Sequence, residues 1–280
     1  VDRTGTDEPD ALGRTRRKYC YNILVSGLDD DNGGSDTNIL VRFDVPNKRI
    51  DLVSLPRDTL LHNEYRNNKL NFAYAKGGTE LLMEQIENLL GIPVDFYVTV
   101  NLKGFIALVD QIDGVDFDIP INMDYDDPYQ DLHIHFTKGP RHLNGQEAME
   151  VVRFRHNNDG TGYGTEDIGR IGTQQAFLKA VAKQLLQIGN VKNIPALVDI
   201  FYTYVKTDLT TGNLVWLGNE ALNIGTENIH FATLPGDGAG YYNKQSVYVL
   251  DAQATCDLVN EALNPYNEAL TLEDMDILVP

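Results

Sequence analysis

Arg49-Ile-Asp-Leu-Val-Ser-Leu-Pro-Arg-Asp-Thr59 carries an apolar strand, Arg49 to Ser54, straight into a proline, an arginine and an aspartate. Proline has no N–H to give to a ladder, so Pro56 ends the strand. Arg57 and Asp58 then stand at a strand's carboxyl edge, where open α/β sheets form their ligand sites. A tight turn closed by an ion pair would use the same letters, so the flanking sequence has to decide.

Upstream, Cys20-Tyr-Asn-Ile-Leu-Val-Ser26 and Asn38 to Phe43 read as strands, separated by an acidic, glycine-rich loop. The turn Val45-Pro-Asn-Lys48 leads into Arg49. Downstream, Leu81, Leu82, Met83, Ile86, Leu89 and Leu90 form one stripe over Thr79 to Leu90, and Gly91 and Pro93 stop it. That is an amphipathic helix. Phe96 to Val100 reads as a strand, Leu102 to Gln111 as a helix and Val115 to Ile119 as a strand. Alternation of this kind argues a layered α/β fold. A helix over Gln146 to Val152 ends in Arg153-Phe-Arg155, and the longest helix runs from Asp167 to Gln187. Beyond Val191 come about three helices and the strand Ile229 to Leu234. Residues 1–18, ending Arg14-Thr-Arg-Arg-Lys18, are expected to be a flexible lead-in, and 19–280 a single domain with an extension from about residue 190.

Asp plus Glu total 41 against 23 Lys plus Arg, a formal charge of −18. That field opposes general affinity for nucleic acid or an anionic membrane surface. Phosphate chemistry must therefore rest on a local cluster of cations. No apolar run of membrane-spanning length occurs in the chain. The opening Val-Asp-Arg-Thr-Gly reads as cut from something longer, with a signal or anchor upstream. Cys20 and Cys256 read as two unpaired buried thiols.

Arg57, Lys69, Arg153, Arg155 and Arg170 lie at element ends among apolar neighbours, where an unpartnered charge is costly. Any one alone reads as an ion pair. Asp167, Arg170 and Gln174 recur along one helix face, though, and Arg153 and Arg155 straddle Phe154. Such a strip of donors suits a polyanion, because guanidinium groups bind phosphate oxygens bidentately. Asp29 and Asp36 on the first loop could hold Mg²⁺, which is usually bound through one or two carboxylates plus substrate phosphates.

Asn22-Ile-Leu-Val-Ser-Gly-Leu-Asp29, Ser35-Asp-Thr37, Ser54-Leu-Pro-Arg-Asp-Thr59 and Lys69-Leu-Asn-Phe-Ala-Tyr-Ala75 occur in that order. Leu143-Asn-Gly-Gln-Glu-Ala148, Val152-Arg-Phe-Arg155 and Asp167-Ile-Gly-Arg170 with Gln174 follow. Together these blocks resemble the LytR-CpsA-Psr family. The resemblance implies a three-layer α/β/α domain with a central mixed sheet and a hydrophobic lipid tunnel. It implies a domain anchored by an N-terminal segment on the outer face of a Gram-positive cytoplasmic membrane. It implies transfer of a glycopolymer, such as teichoic acid or capsular polysaccharide, from an undecaprenyl diphosphate carrier to peptidoglycan, with an accessory pyrophosphatase activity. The alternative is a non-catalytic polyprenyl-diphosphate-binding regulator of the envelope.

Carried over by motif, Asp29 and Asp36 resemble the Mg²⁺ ligands, and Arg57, Asp58, Arg153, Arg155 and Asp167 the catalytic set. Lys69, Arg170 and Gln174 resemble the diphosphate contacts. The family pattern carries arginine where this chain has Asp31, Gly34 and Thr173, so the implied clamp has three fewer cations.

Three other stretches read more plainly. Asp159-Gly-Thr-Gly-Tyr-Gly-Thr165 lacks the Gly-Lys-Ser/Thr ending of a P-loop and reads as a mobile flap. Asp124-Tyr-Asp-Asp-Pro-Tyr-Gln-Asp131 lacks the glycine and glutamate of an EF-hand and reads as a solvated loop. His133-Ile-His135, with no further ligands nearby in sequence, reads as solvent-facing rather than as a zinc site.

Overall fold

The computed structural model describes residues 9–28, 34–129, 131–163, 166–187 and 194–280, without the side chains of 166–168, 170, 171, 185–187, 194–197 and 200. The chain divides into two compact units, Val1–Val100 with Lys206–Pro280, and Asn101–Val205.

A six-stranded sheet organises the first unit. Its strands are β1 (Cys20–Leu28), β2 (Ser35–Asp44), β3 (Arg49–Leu55), β4 (Phe96–Val100), β9 (Val205–Thr207) and β10 (Ile229–Thr233), in the order β10-β3-β2-β1-β4-β9. β1, β3, β4 and β10 point the same way, and β2 runs against its neighbours β1 and β3. Side chains alternate across a strand, so β1 sends Asn22, Leu24 and Ser26 to one face and Tyr21, Ile23 and Val25 to the other. Leu24 pairs with Leu40 of β2, and Leu40 with Val53 of β3. This buried row packs with Leu82, Ile86 and Leu89 of α1 (Leu70–Leu90) and with Cys256, Val259 and Ala262 of α7 (Ala252–Ala262). On the opposite face Tyr21 meets Trp216 of α6 (Thr211–Ile224) edge-on at 5.9 Å. The layers are α/β/α around a central mixed sheet, as the sequence led us to expect.

α1 starts nine residues before the sequence pattern placed it and is bent at Gly77 and Gly78. Gly78 has φ 66°, a backbone that L side chains resist, so the glycine pair reads locally as a break. Packing of Leu70 and Ala73 keeps the leading turns helical on the far side of the bend.

The segment expected to be a flexible lead-in is fastened from Asp10 onward. Arg16 grips both oxygens of Asp95 at 2.9 Å, and Arg17 Nη1 lies 2.6 Å from Asp44. Arg17 Nη2 donates to the Asn264 carbonyl. The basic run looked solvated because its partners are distant in sequence. Cys20 and Cys256 are free and buried, and burial pushes the Cys20 thiol up to about 11. It is therefore a poor nucleophile at neutral pH.

The second unit contains α2 (Leu102–Gln111), β5 (Val115–Ile119), β6 (Met123–Asp127), β7 (Leu132–Phe136), β8 (Gly139–Leu143), α3 (Gly145–Arg153), α4 (Glu166–Gln187) and α5 (Ile194–Tyr204). β5 pairs with β8 and β6 with β7, all antiparallel. Phe117, Ile134, Val151, Phe154 and Phe177 are among its core. The stretch read as a solvated acidic loop is in part strand β6, because Met123 is buried while Asp124 and Asp126 face solvent. The last elements are β11 (Gly236–Tyr242) and β12 (Gln245–Leu250), a hairpin ahead of α7. Among the described residues no helix is long and apolar enough to cross a membrane.

Candidate functional site

In the first unit the carboxyl edge of the parallel strands meets the start of β2. Pro56 follows β3, and its carbonyl accepts from the Thr59 N–H at 3.0 Å and the Thr59 hydroxyl at 2.6 Å. The turn is thereby closed on itself, and its outer rim is bound to α1. The Asn71 N–H donates to the Arg57 carbonyl at 2.9 Å and the Leu70 N–H to the Thr59 carbonyl at 3.0 Å. Antiparallel pairing of β2 with β3 returns the beginning of β2 to this edge. Arg57 Nη1 therefore reaches Asp36 Oδ1 at 2.8 Å, with the two side chains 25% and 34% exposed. Next to it, Lys69 Nζ lies 3.2 Å from Asp58 Oδ1. Four of the residues singled out in the sequence thus form two half-exposed ion pairs on one sheet edge. Asp36 lies on Arg57, and Asp58 lies on Lys69.

Behind this edge is a polar row that sequence reading did not single out. Ser26 Oγ donates to Asn38 Oδ1 at 3.2 Å, and both side chains are buried. Thr99 of β4 pairs in register with Ser26, and its hydroxyl lies 3.4 Å from that of Thr79, one residue past the bend in α1. The signal was present for two of them: Ser26 and Thr99 each break an apolar strand near its carboxyl end. Ser35 Oγ is buried and has no hydrogen-bond partner among the described residues.

The second unit holds the paired arginines. α3 begins with a reciprocal capping box between Asn144 and Glu147 and carries Arg153 in its last turn, where a cation complements the helix dipole. Phe154 is 1% exposed and meets Tyr163 edge-on at 5.6 Å. Burying Phe154 fixes the backbone from which Arg153 and Arg155 diverge. Gln174 Nε2 donates to the Val152 carbonyl at 3.2 Å, so this glutamine steadies the arginine turn. Thr173, where the family pattern has arginine, is buried and donates its hydroxyl to the Gly169 carbonyl at 3.1 Å. Asp29 and Asp31 lie outside the described residues, and for Asp167 and Arg170 only the helical backbone of α4 is described.

The glycine of Asp167-Ile-Gly-Arg170 has a packing reason. A Cβ on Gly169 would stand 2.2 Å from Tyr163 Cβ, whereas a Cβ on Gly172 meets nothing within 4 Å. Gly172→Ala is therefore expected to stabilise by about 0.5–1 kcal/mol through helix propensity. Gly169→Ala is expected to destabilise by about 1–3 kcal/mol, because Tyr163 must leave Phe154. Opposite shifts in thermal midpoint are the readout, and two upward shifts would remove the packing role.

The pattern of the LytR_cpsA_psr family matches residues 3–264. The chain is 34% identical over 203 residues to the "Polyisoprenyl-teichoic acid--peptidoglycan teichoic acid transferase TagV" of Bacillus subtilis, covering 69% of this chain and only 51% of that protein. It therefore spans about half of TagV's length. It is 31% identical over 265 residues to the corresponding transferase TagU of Bacillus cereus, covering 93% of this chain and 82% of TagU. The "Regulatory protein MsrR" of Staphylococcus aureus is 31% identical over 219 residues, 76% of this chain and 64% of MsrR. The crystal structure of B. subtilis TagV superposes with a TM-score of 0.75 at 28% identity, over 94% of this chain and 100% of that one. The match over nearly the whole chain, the shared layered fold and the ordered motif blocks have one meaning: this chain belongs to the LytR-CpsA-Psr family.

Proposed function

We propose that this chain transfers a glycopolymer from a polyprenyl diphosphate carrier to a hydroxyl of peptidoglycan, outside the membrane that carries the lipid. The observation that carries the reading is the Arg57–Asp36 pair at the carboxyl edge of the sheet, inside a chain that the family matches almost end to end. Two transferases among its relatives are named for this chemistry with teichoic acid.

The acceptor hydroxyl oxygen forms a bond to the polymer-side phosphorus, and that phosphorus loses its bond to the bridging oxygen. The bridging oxygen leaves with the lipid as undecaprenyl phosphate, and the hydroxyl proton passes to a carboxylate within hydrogen-bond reach. Asp58 and Asp167 are the carboxylates we assign to that role. Arg57 and Lys69 are assigned to phosphate oxygens by their place at the sheet edge, and Arg153, Arg155, Arg170 and Gln174 by the family motif alone. Asp36 and Asp29 would hold Mg²⁺, which when bound neutralises diphosphate charge. The buried Ser35 hydroxyl beside Asp36, without a hydrogen-bond partner among the described residues, fits that role, because an all-oxygen donor group suits a hard dication.

The apolar lipid chain belongs in the tunnel that the family resemblance implies. A cavity of about 510 Å³ mixes Leu12, Ile92 and Met275 with Arg14, Glu87, Asp274 and Asp276, and that charged share suits an apolar chain poorly. A second reading, a regulator that holds the lipid without turnover, is favoured by one observation. Thr173 replaces a clamp arginine and is committed to the Gly169 carbonyl.

Incubation with a short undecaprenyl-diphosphate oligosaccharide, with and without Mg²⁺ and an acceptor glycan, separates the two readings. Metal-dependent release of undecaprenyl phosphate with glycan joined to the acceptor is the expected result. Saturable lipid binding without release would replace the enzyme by the regulator.

A further inference from the structure

The exposed face of the β6–β7 hairpin gathers side chains that the proposed transfer does not use. The register opposes Asp124 to His135 and Asp126 to His133, and period-two alternation puts all four on one face. Sequence spacing alone hid the carboxylates; antiparallel pairing supplies them. His133 Nδ1 lies 2.5 Å and His135 Nε2 3.4 Å from the same oxygen, Asp126 Oδ1. His135 Nδ1 lies 2.8 Å from Asp124 Oδ1, and His133 Nε2 3.6 Å from Asp131 Oδ1. One ligand atom each from Asp126, His133 and His135 lies within 4.8 Å of the other two.

We propose that this hairpin binds one zinc-class dication through Asp126, His133 and His135, with Asp124 as the carboxylate that orients His135. Tetrahedral zinc with bonds of about 2.0–2.1 Å needs ligand atoms roughly 3.3 Å apart, so small rotations of exposed side chains complete the set. His135 already shows the order typical of such sites, with one ring nitrogen held by Asp124 and the other directed at the shared oxygen. Two imidazoles select zinc, copper or nickel over magnesium, so this ligand class differs from the all-oxygen donors assigned to Mg²⁺. Glu150 of α3 is close enough for both histidine charges to act on its carboxyl, which adds negative charge on this side.

The hairpin is also coupled to the arginine turn within its own unit. The Asp124 N–H donates to Asn157 Oδ1 at 2.7 Å and the Asp126 N–H to Asn158 Oδ1 at 2.6 Å. Asn158 Nδ2 returns a bond to the Asp126 carbonyl at 3.1 Å. The glycine-rich loop, read from sequence as a mobile flap, is therefore tied to β6 at its start, two residues after Arg155. A metal on the hairpin stiffens the strand that anchors this loop.

The test is calorimetric titration of the full 280-residue chain with zinc chloride in excess Mg²⁺, repeated with His133→Ala/His135→Ala and with His142→Ala. His142 of β8 pairs with Asp116 of β5 at 2.7 Å and serves as the surface-histidine control. The expected result is one saturable site of micromolar or tighter affinity. The double variant should lose about a hundredfold or more, His142→Ala should keep the affinity, and zinc should raise the melting point of the parent and of His142→Ala but not of the double variant. Both replaced histidines are exposed, so the metal-free melting point serves as the folding check. Absence of a saturable site, or equal affinity in the double variant, overturns the proposal.

Discussion

Arg57→Ala is expected to lower the release of undecaprenyl phosphate roughly 10²–10³-fold, the usual loss when one preorganised donor to a developing charge is removed. The loss should fall mainly on kcat, because charge at the leaving oxygen grows toward the transition state. The fold should hardly respond. The Arg57–Asp36 pair is partly exposed, and such pairs contribute only about 0.2–1 kcal/mol. Lysine at this position keeps the charge but loses the planar fork, so Arg57→Lys should recover only part of the rate. Measuring release by mass spectrometry beside a thermal melt separates the outcomes. An unchanged rate would remove Arg57 from the chemistry, and a collapsed melt would make it structural.

Asp51→Ala should have the largest effect on stability. Asp51 is 2% exposed in β3 and accepts from Arg42 Nη2 at 2.7 Å and from Arg49 Nε at 2.8 Å. Arg42 is itself 3% exposed, and its other contact with the described residues is the Asn264 carbonyl at 3.5 Å. Removing the carboxylate leaves a buried guanidinium without its counter-charge, which costs about 3–5 kcal/mol. Replacing both partners by apolar residues, Arg42→Met with Asp51→Leu, should cost far less, because no orphan charge remains. Urea unfolding of the two variants is the check. If they lost equal stability, the pair would be acting through packing and not through charge.

Much of the fold was legible because its elements obey simple periods. The strands at Phe96–Val100 and Val115–Ile119 and the helix at Leu102–Gln111 stand where alternation and helical stripes put them. α1 escaped in part because Gly77-Gly78 has the local chemistry of a helix end, and only packing overrides it. Residues 14–18 looked like a tail because their partners Asp44, Asp95 and Asn264 are remote in sequence. The site was half legible. Pro56 gave Arg57 its place at the edge, and the order of the blocks gave the family. Which carboxylate holds Arg57 depends on the β2–β3 register, and no spacing along the chain could distinguish Asp36 from Asp58.

The parallel pairing of β10 with β3 also bears on how the chain assembles. β1, β2 and β3 are joined by short connections and can zip as soon as they exist. The outer edge of β3 must wait for Ile229–Thr233, which a growing chain makes far later. Until then, Ile50 to Ser54 presents unpaired backbone to any neighbouring chain, as open edges do. The late segment thus covers an edge that would otherwise stay open, and the six-stranded sheet is complete only once it has been made.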